Sequence, residues 1–186
     1  RYKPGSALAA VNSFEMTVHG KQTHGSAPWL GVDPIVTSAQ IIMGLQTIVS
    51  RQMELTKEPV VISVGKITGG VRSNIIPEEV KMVGTIRTLD TAMQRIVHEK
   101  IRNTAINIAE SMGATVDITI DKGYPVTYND LELTRKMLPT IFEAAGGEQN
   151  VILMKPSTGA EDFSFFAREI PGLFIFLGGM KPGTNS

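Results

Sequence analysis

The sequence predicts an α+β chain in two parts: a βαββαβ unit and, after it, an incomplete α/β segment. Three observations predict this. Four stretches between Ser13 and Asp121 alternate apolar and polar residues, as half-buried strands do. Two stretches lying among them repeat apolar residues every three or four positions, as helices with one buried stripe do. After Lys122-Gly123-Tyr124-Pro125 the pattern changes to a helix and short, wholly apolar runs.

The first strand runs from Ser13 to His19, with Phe14, Met16 and Val18 on one side. A polar loop from Gly20 to Gly31 follows. At Asp33-Pro34 a helix begins: Asp accepts from orphan backbone N–H groups, and Pro at the first helical position needs no donor. Ile35, Ala39, Ile42, Leu45 and Val49 mark its predicted stripe, which continues to about Arg51. Pro59 to Thr68 is rich in β-branched residues and ends at Gly69-Gly70. Val80, Met82, Gly84 and Ile86 then alternate with Lys81, Val83, Thr85 and Arg87, a third strand. Asp90 is placed to cap a second helix striped by Met93, Val97, Ile101, Ala105, Ile108 and Met112. Gly113 suits the left-handed position past its end. Val116, Ile118 and Ile120 give the fourth strand. This order is that of the ferredoxin-like fold. Two helices cover one face of a four-stranded antiparallel sheet, leaving the other face or an edge for solvent or a partner.

In the second part a helix is expected from Asn129-Asp130 to Gly146-Gly147, with Pro139 imposing a kink or a late start. Val151 to Met154 reads as a short strand and Glu161 to Arg168 as a helix. Leu173 to Leu177 reads as a continuous apolar strand, buried on both faces as in a parallel sheet. Two short strands make no stable sheet by themselves, so this part reads as a piece of a larger α/β domain.

Composition narrows the function. The 18 basic and 18 acidic side chains balance, which argues against a nucleic-acid binder and against an acidic disordered segment. No apolar run reaches about 18 residues, so no membrane span is expected. Without Cys there are no disulfides, Cys-type zinc sites or thiol nucleophiles. The first residues, Arg1-Tyr2-Lys3-Pro4-Gly5, carry neither an initiator Met nor a signal-peptide core, and the chain reads as excised from something longer. There is no Gly-x-Gly-x-x-Gly and no His-Glu-x-x-His. His98-Glu99 reads as an exposed helix face, and His19 with His24 is too few ligands for tetrahedral zinc.

Four groupings remain. His24-Gly25-Ser26-Ala27-Pro28 is either a solvated loop or a close backbone passage carrying a donor near neutral pH. Gly69-Gly70-Val71-Arg72-Ser73-Asn74 is either a plain strand connection or a turn presenting an amide that donates and accepts. Arg87 is either an edge charge or a two-pronged grip on a carboxylate. Glu161-Asp162 opens a helix, where acids offset the dipole or serve a site.

Taken in order, the motifs are Gly20-x-x-x-His24-x-x-x-Pro28-x-x-Gly31-Val32-Asp33-Pro34, Gly69-Gly70-x-x-x-Asn74-x-Ile76-Pro77, Gly84-Thr85-Ile86-Arg87 and Gly159-Ala160-Glu161-Asp162-Phe163. This series resembles the M20 family of metallopeptidases and amidohydrolases, in the branch of hippurate hydrolases and N-acyl-amino-acid amidohydrolases. The resemblance covers nearly the whole chain.

It implies a catalytic α/β domain with two divalent metal ions, usually zinc, and an inserted lid or dimerisation domain. Residues 13–121 would be that lid, 1–12 a connecting segment and 122–186 the C-terminal part of the catalytic domain. His24 would be catalytic, donating to the oxyanion, often within the partner subunit's site. Asn74 and Arg87 would orient the substrate. Glu161 matches a motif beside the active site and is placed with the substrate contacts rather than the metals. The family's metal ligands and general base fall outside the chain, so no metal ligand is assigned to it and none is expected bound. Trp29 stands where the family usually has His or another polar residue. The intact protein would cleave small N-acyl amino acids or peptide-like substrates as a homodimer, and this fragment alone would be inactive. The alternative is a stand-alone dimerisation or small-ligand-binding module.

Overall fold

In a computed structural model, residues 1–54 and 56–179 are described. They form two compact units, one of residues 10–123 and one that joins residues 1–9 to the chain from Tyr124 onward.

In the first unit, strand β2 (Ala10–His19) is central. Strand β1 (Gly5–Leu8) precedes it and belongs to the other unit. Strand β3 (Thr23–His24) and helix α1 (Pro34–Thr47) follow, then β4 (Val60–Gly69), β5 (Ile75–Ile76), β6 (Glu79–Thr88), α2 (Thr91–Ser111) and β7 (Thr115–Lys122). The main sheet has the order β4-β6-β2-β7, every pair antiparallel. With α1 and α2 as crossovers this is the predicted ferredoxin-like arrangement.

Alternation decides the faces. Phe14, Met16 and Val18 of β2 and Val80, Met82 and Ile86 of β6 turn inward, against Ile41, Leu45 and Ile48 and the α2 stripe Met93, Val97, Ile101, Ala105 and Ala109. Lys81, Val83, Thr85 and Arg87 lie on the opposite, helix-free face. Gly84 is needed where it stands: a Cβ there would run into the Phe14 ring and the Ser63 carbonyl.

Both helices are capped as expected. Asp33 Oδ1 accepts from the N–H groups of Ile35 (2.8 Å) and Val36 (3.2 Å), and Asp90 Oδ1 accepts from Met93 (2.7 Å). Gly113 closes α2 with φ +75°. The α1 stripe, however, sits one position from the predicted one. Thr37, Ser38, Ile41, Leu45 and Ile48 are inside, whereas Ile35 and Ala39 face out. The adjacent pair Ile41-Ile42 fits either stripe by hydropathy. Packing against α2 chooses, because Gly44 leaves room only for Ile108 and Thr104. The two ends of this unit meet: the Gly123 N–H donates to the Val11 carbonyl (3.0 Å).

In the second unit β1 pairs antiparallel with β8 (Thr127–Asn129). Helix α3 (Leu131–Ala144) is capped by Asp130, and α4 (Phe163–Glu169) lies near its predicted place. Helix α3 starts early and runs on through Pro139. The carbonyl left free by this proline is that of Arg135, an exposed residue whose backbone water can reach.

Two expected strands are absent here. Val151–Met154 makes one bridge, Leu153 to Tyr2, and Leu173–Leu177 joins no ladder. A strand exists only where a neighbour pairs with it, and apolar composition supplies no neighbour. Leu177 is 94% exposed, so the expected burial on both faces is not found either. The segment is pinned instead by two hydrogen bonds that Phe176 exchanges with the Arg1 backbone (2.9 and 2.8 Å) and by a side chain. Buried Asn129 donates to the Phe174 and Lys3 carbonyls (2.9 and 2.8 Å) and accepts from the Phe174 N–H (2.6 Å). No helix among the described residues is long and apolar enough to cross a membrane.

Candidate functional site

The loop after β2 is folded back on the β4–β6 connection by a small ladder. Thr23 pairs with Ile76 and His24 with Ile75, and the Gly25 N–H donates to the Asn74 carbonyl (2.8 Å). Glycine eases that approach, since a Cβ on Gly25 would stand 3.3 Å from the Asn74 carbonyl group, a tight contact. His24 and Asn74, fifty positions apart in sequence, thus become backbone neighbours at the Glu79 end of β6.

The His24 ring accepts at Nδ1 from the Ser26 N–H (3.1 Å), with Ser26 Oγ 2.7 Å from the same nitrogen. Its Nε2 makes no hydrogen bond among the described residues, and His24 as a whole is exposed. Asn74 is exposed, as are Trp29 and Leu30 in the same loop as His24, and Val71 in the connection before Asn74. An open depression of about 710 Å³ lies here, lined by Gly25, Pro28, Asp33, Ile35, Val71 and Arg72 among others.

Arg87 is elsewhere. It pairs with Val11 and Val61, eight positions along β6 from the Glu79–His19 pair. At about 3.2 Å per residue that is roughly 25 Å of strand. Its Nη1 is shielded from solvent and has no hydrogen-bond partner among the described residues. A buried N–H left unmatched costs about 1–3 kcal/mol, so the group is suited to an acceptor that arrives from outside.

Glu161 belongs to the second unit. Its carbonyl accepts from Ser164, at N (3.2 Å) and Oγ (2.6 Å), which starts α4. The preceding loop is tied to the chain beside β1: the Ala9 N–H donates to the Ser157 and Gly159 carbonyls (3.0 and 2.9 Å). The structure therefore brings His24 to Asn74 and leaves Arg87 apart from them within the same unit, while Glu161 belongs to the other unit. Among the described residues no three His, Cys, Asp or Glu side chains cluster as metal ligands. The residues present do not form a two-metal site.

Two histidines outside the loop have structural surroundings. His19 Nε2 lies 2.9 Å from Asp117 on the open sheet face. His98 is held below the usual histidine pKa by burial first, and then by the Lys122 and Arg102 charges. Sequence reasoning gave Ser26 no role. The only signal was its place two residues after His24, the spacing at which a backbone N–H can turn back onto the ring.

The fold and the motif series define the class. The family described as peptidase dimerisation domain matches residues 8–113. The chain belongs to this M20 peptidase family. It is 36% identical over 177 residues to thermostable carboxypeptidase 2 of Saccharolobus solfataricus, covering 95% of this chain and 44% of that protein. It is 34% identical over 176 residues to N-acetyl-L-cysteine deacetylase of Bacillus subtilis, covering 95% and 41%. Among solved structures it resembles a dinuclear metal binding peptidase of the M20 family from Bacillus subtilis, with TM-score 0.71 and 28% identity, over 92% of this chain and 41% of that one. The chain spans less than half the length of the relatives it matches.

Proposed function

We propose that the protein containing this chain is a metal-dependent amidohydrolase that cleaves the amide of N-acyl amino acids or small peptide-like substrates. Residues 10–123 act as its lid and dimerisation domain, and the part from Tyr124 onward contributes to its catalytic domain. What supports the reading is the β3–β5 ladder, which pairs His24 with Ile75 and so sets it beside Asn74, with Nε2 of the exposed His24 making no hydrogen bond among the described residues.

Attack on an amide carbonyl moves negative charge onto its oxygen. The donor that counts is the one placed where that charge develops. His24 Nε2–H is such a donor, and the Asn74 amide can donate beside it. Arg87 holds the substrate carboxylate through two parallel N–H bonds, matching its unpartnered Nη1. Glu161 borders the substrate from the catalytic part. Two divalent ions, read as zinc, would supply the activated water. The described residues offer no ligand set for them, and the remainder of the protein would hold them. The 186-residue chain by itself turns over nothing, because donors without an activated water leave the nucleophile weak.

Because Arg87 lies about 25 Å along β6 from the end beside which the β3–β5 ladder holds His24, each active site takes them from different copies of a homodimer. The test is the full-length protein, loaded with divalent metal and offered a panel of N-acyl amino acids. Wild type is expected to release the amino acid, and His24→Ala to lose about 10²–10³ in kcat. Arg87→Ala should raise KM for free-acid substrates far more than for their carboxamides. Full kcat in His24→Ala, or no turnover of the panel by wild type, overturns the proposal.

A further inference from the structure

We propose that Ser26 is the positioning residue of His24, fixing its neutral ring as the Nε2–H tautomer. The argument is one of donor arithmetic. A backbone N–H can only donate, and that of Ser26 points at Nδ1 from 3.1 Å. Nδ1 therefore presents its lone pair, and the single proton of the neutral ring lies on Nε2. Ser26 Oγ stands 2.7 Å from the same nitrogen; its hydroxyl donates to the lone pair that the backbone N–H selects, and the selection itself rests on the N–H.

The turn that brings Ser26 back is itself fastened. The Ala27 N–H donates to the His24 carbonyl (2.9 Å), and Thr23 Oγ1 donates to the Ala27 carbonyl (3.3 Å). Gly25 is tied to Asn74 at the same time. Residues 23–27 thus form a hydrogen-bonded frame at Nδ1 of the imidazole, and Nε2 is left without a hydrogen bond among the described residues. In the alternative tautomer Nδ1–H would donate to Ser26 Oγ, but it would stand against the Ser26 N–H, and that backbone donor would lose its acceptor.

The catalytic meaning of this tautomer rests on the proposed oxyanion role of His24, whereas the tautomer itself is a property of the loop. The experiment keeps the two apart. Imidazole nitrogen spectra are recorded on full-length protein labelled with ¹⁵N-histidine, using His24→Ala to assign the signal. In wild type Nδ1 is expected to resonate as an unprotonated nitrogen and Nε2 as a protonated one. Ser26→Pro removes both donors. Its Nδ1–H fraction should rise about fivefold through loss of the backbone donor, since the hydroxyl can serve either tautomer, while unchanged His19 and His98 signals report an intact fold. Ser26→Ala should lower kcat several-fold with KM unchanged, and Ser26→Thr should restore it.

A wild-type His24 carrying its proton on Nδ1 overturns the inference. So does a tautomer balance that stays at the wild-type value in Ser26→Pro. If the spectra behave as expected and His24→Ala keeps full kcat, the oxyanion reading fails and the tautomer assignment stands.

Discussion

Mixing two inactive variants should restore activity, and by a calculable amount. The register puts Arg87 eight positions along β6 from the end at which His24 and Asn74 lie, roughly 25 Å. A substrate the size of two residues spans about 7 Å when extended. On the proposed roles one copy cannot present both groups to one substrate, and a twofold-related copy supplies one of them. In a His24→Ala homodimer both sites lack the oxyanion donor, and in an Arg87→Ala homodimer both lack the carboxylate clamp. After subunit exchange at equal amounts, half the dimers are mixed. Each mixed dimer has one site with both defects and one with neither. Activity should rise from near zero to about a quarter of wild type. The assay is amino-acid release from an N-acyl amino acid, with exchange followed independently by mass-tagged subunits. Demonstrated exchange without recovery would refute the division of labour between copies.

Gly84→Ala should destabilise residues 10–123 by about 1–3 kcal/mol, because the new methyl meets the Phe14 ring and the Ser63 carbonyl; urea unfolding measures it. Asn129→Ala leaves the Phe174 N–H and the Lys3 and Phe174 carbonyls without their partner. Faster hydrogen exchange at Phe174, with residues 10–123 unaffected, is the expected result. His98 has a lowered folded pKa, so its contribution is fully present above the unfolded value near 6.5 and is lost as pH falls towards the folded one. Urea midpoints should drop more steeply below about pH 6.5 in wild type than in His98→Gln. Parallel curves would remove His98 from the account.

The first unit was readable in the sequence because its signals are local. Phe14, Met16 and Val18 alternate, Met93, Val97 and Ile101 recur at helical spacing, and Asp33 and Asp90 stand at the caps. Each signal is generated by the backbone period it reports. The second unit was less readable, because strands there depend on partners. Leu173–Leu177 has strand composition and no ladder, while Gly5–Leu8, unremarkable in hydropathy, forms a strand through pairing with Thr127–Asn129. At the site, residue types suggested the chemistry of His24, Asn74 and Arg87. The separation of Arg87 from the other two came only from the register, since sequence distance says nothing of which end of a sheet a residue occupies.

The hydrogen bond from Gly123 to Val11 bears on how such a module travels between proteins. A body whose entry and exit points are joined by one peptide contact closes its own loop. Any host chain can be opened at a surface turn to admit it, with a gap no wider than two adjacent strands, about 5 Å. Transplanting Ala10–Gly123 into an unrelated surface hairpin is therefore an engineering task that needs no new linker.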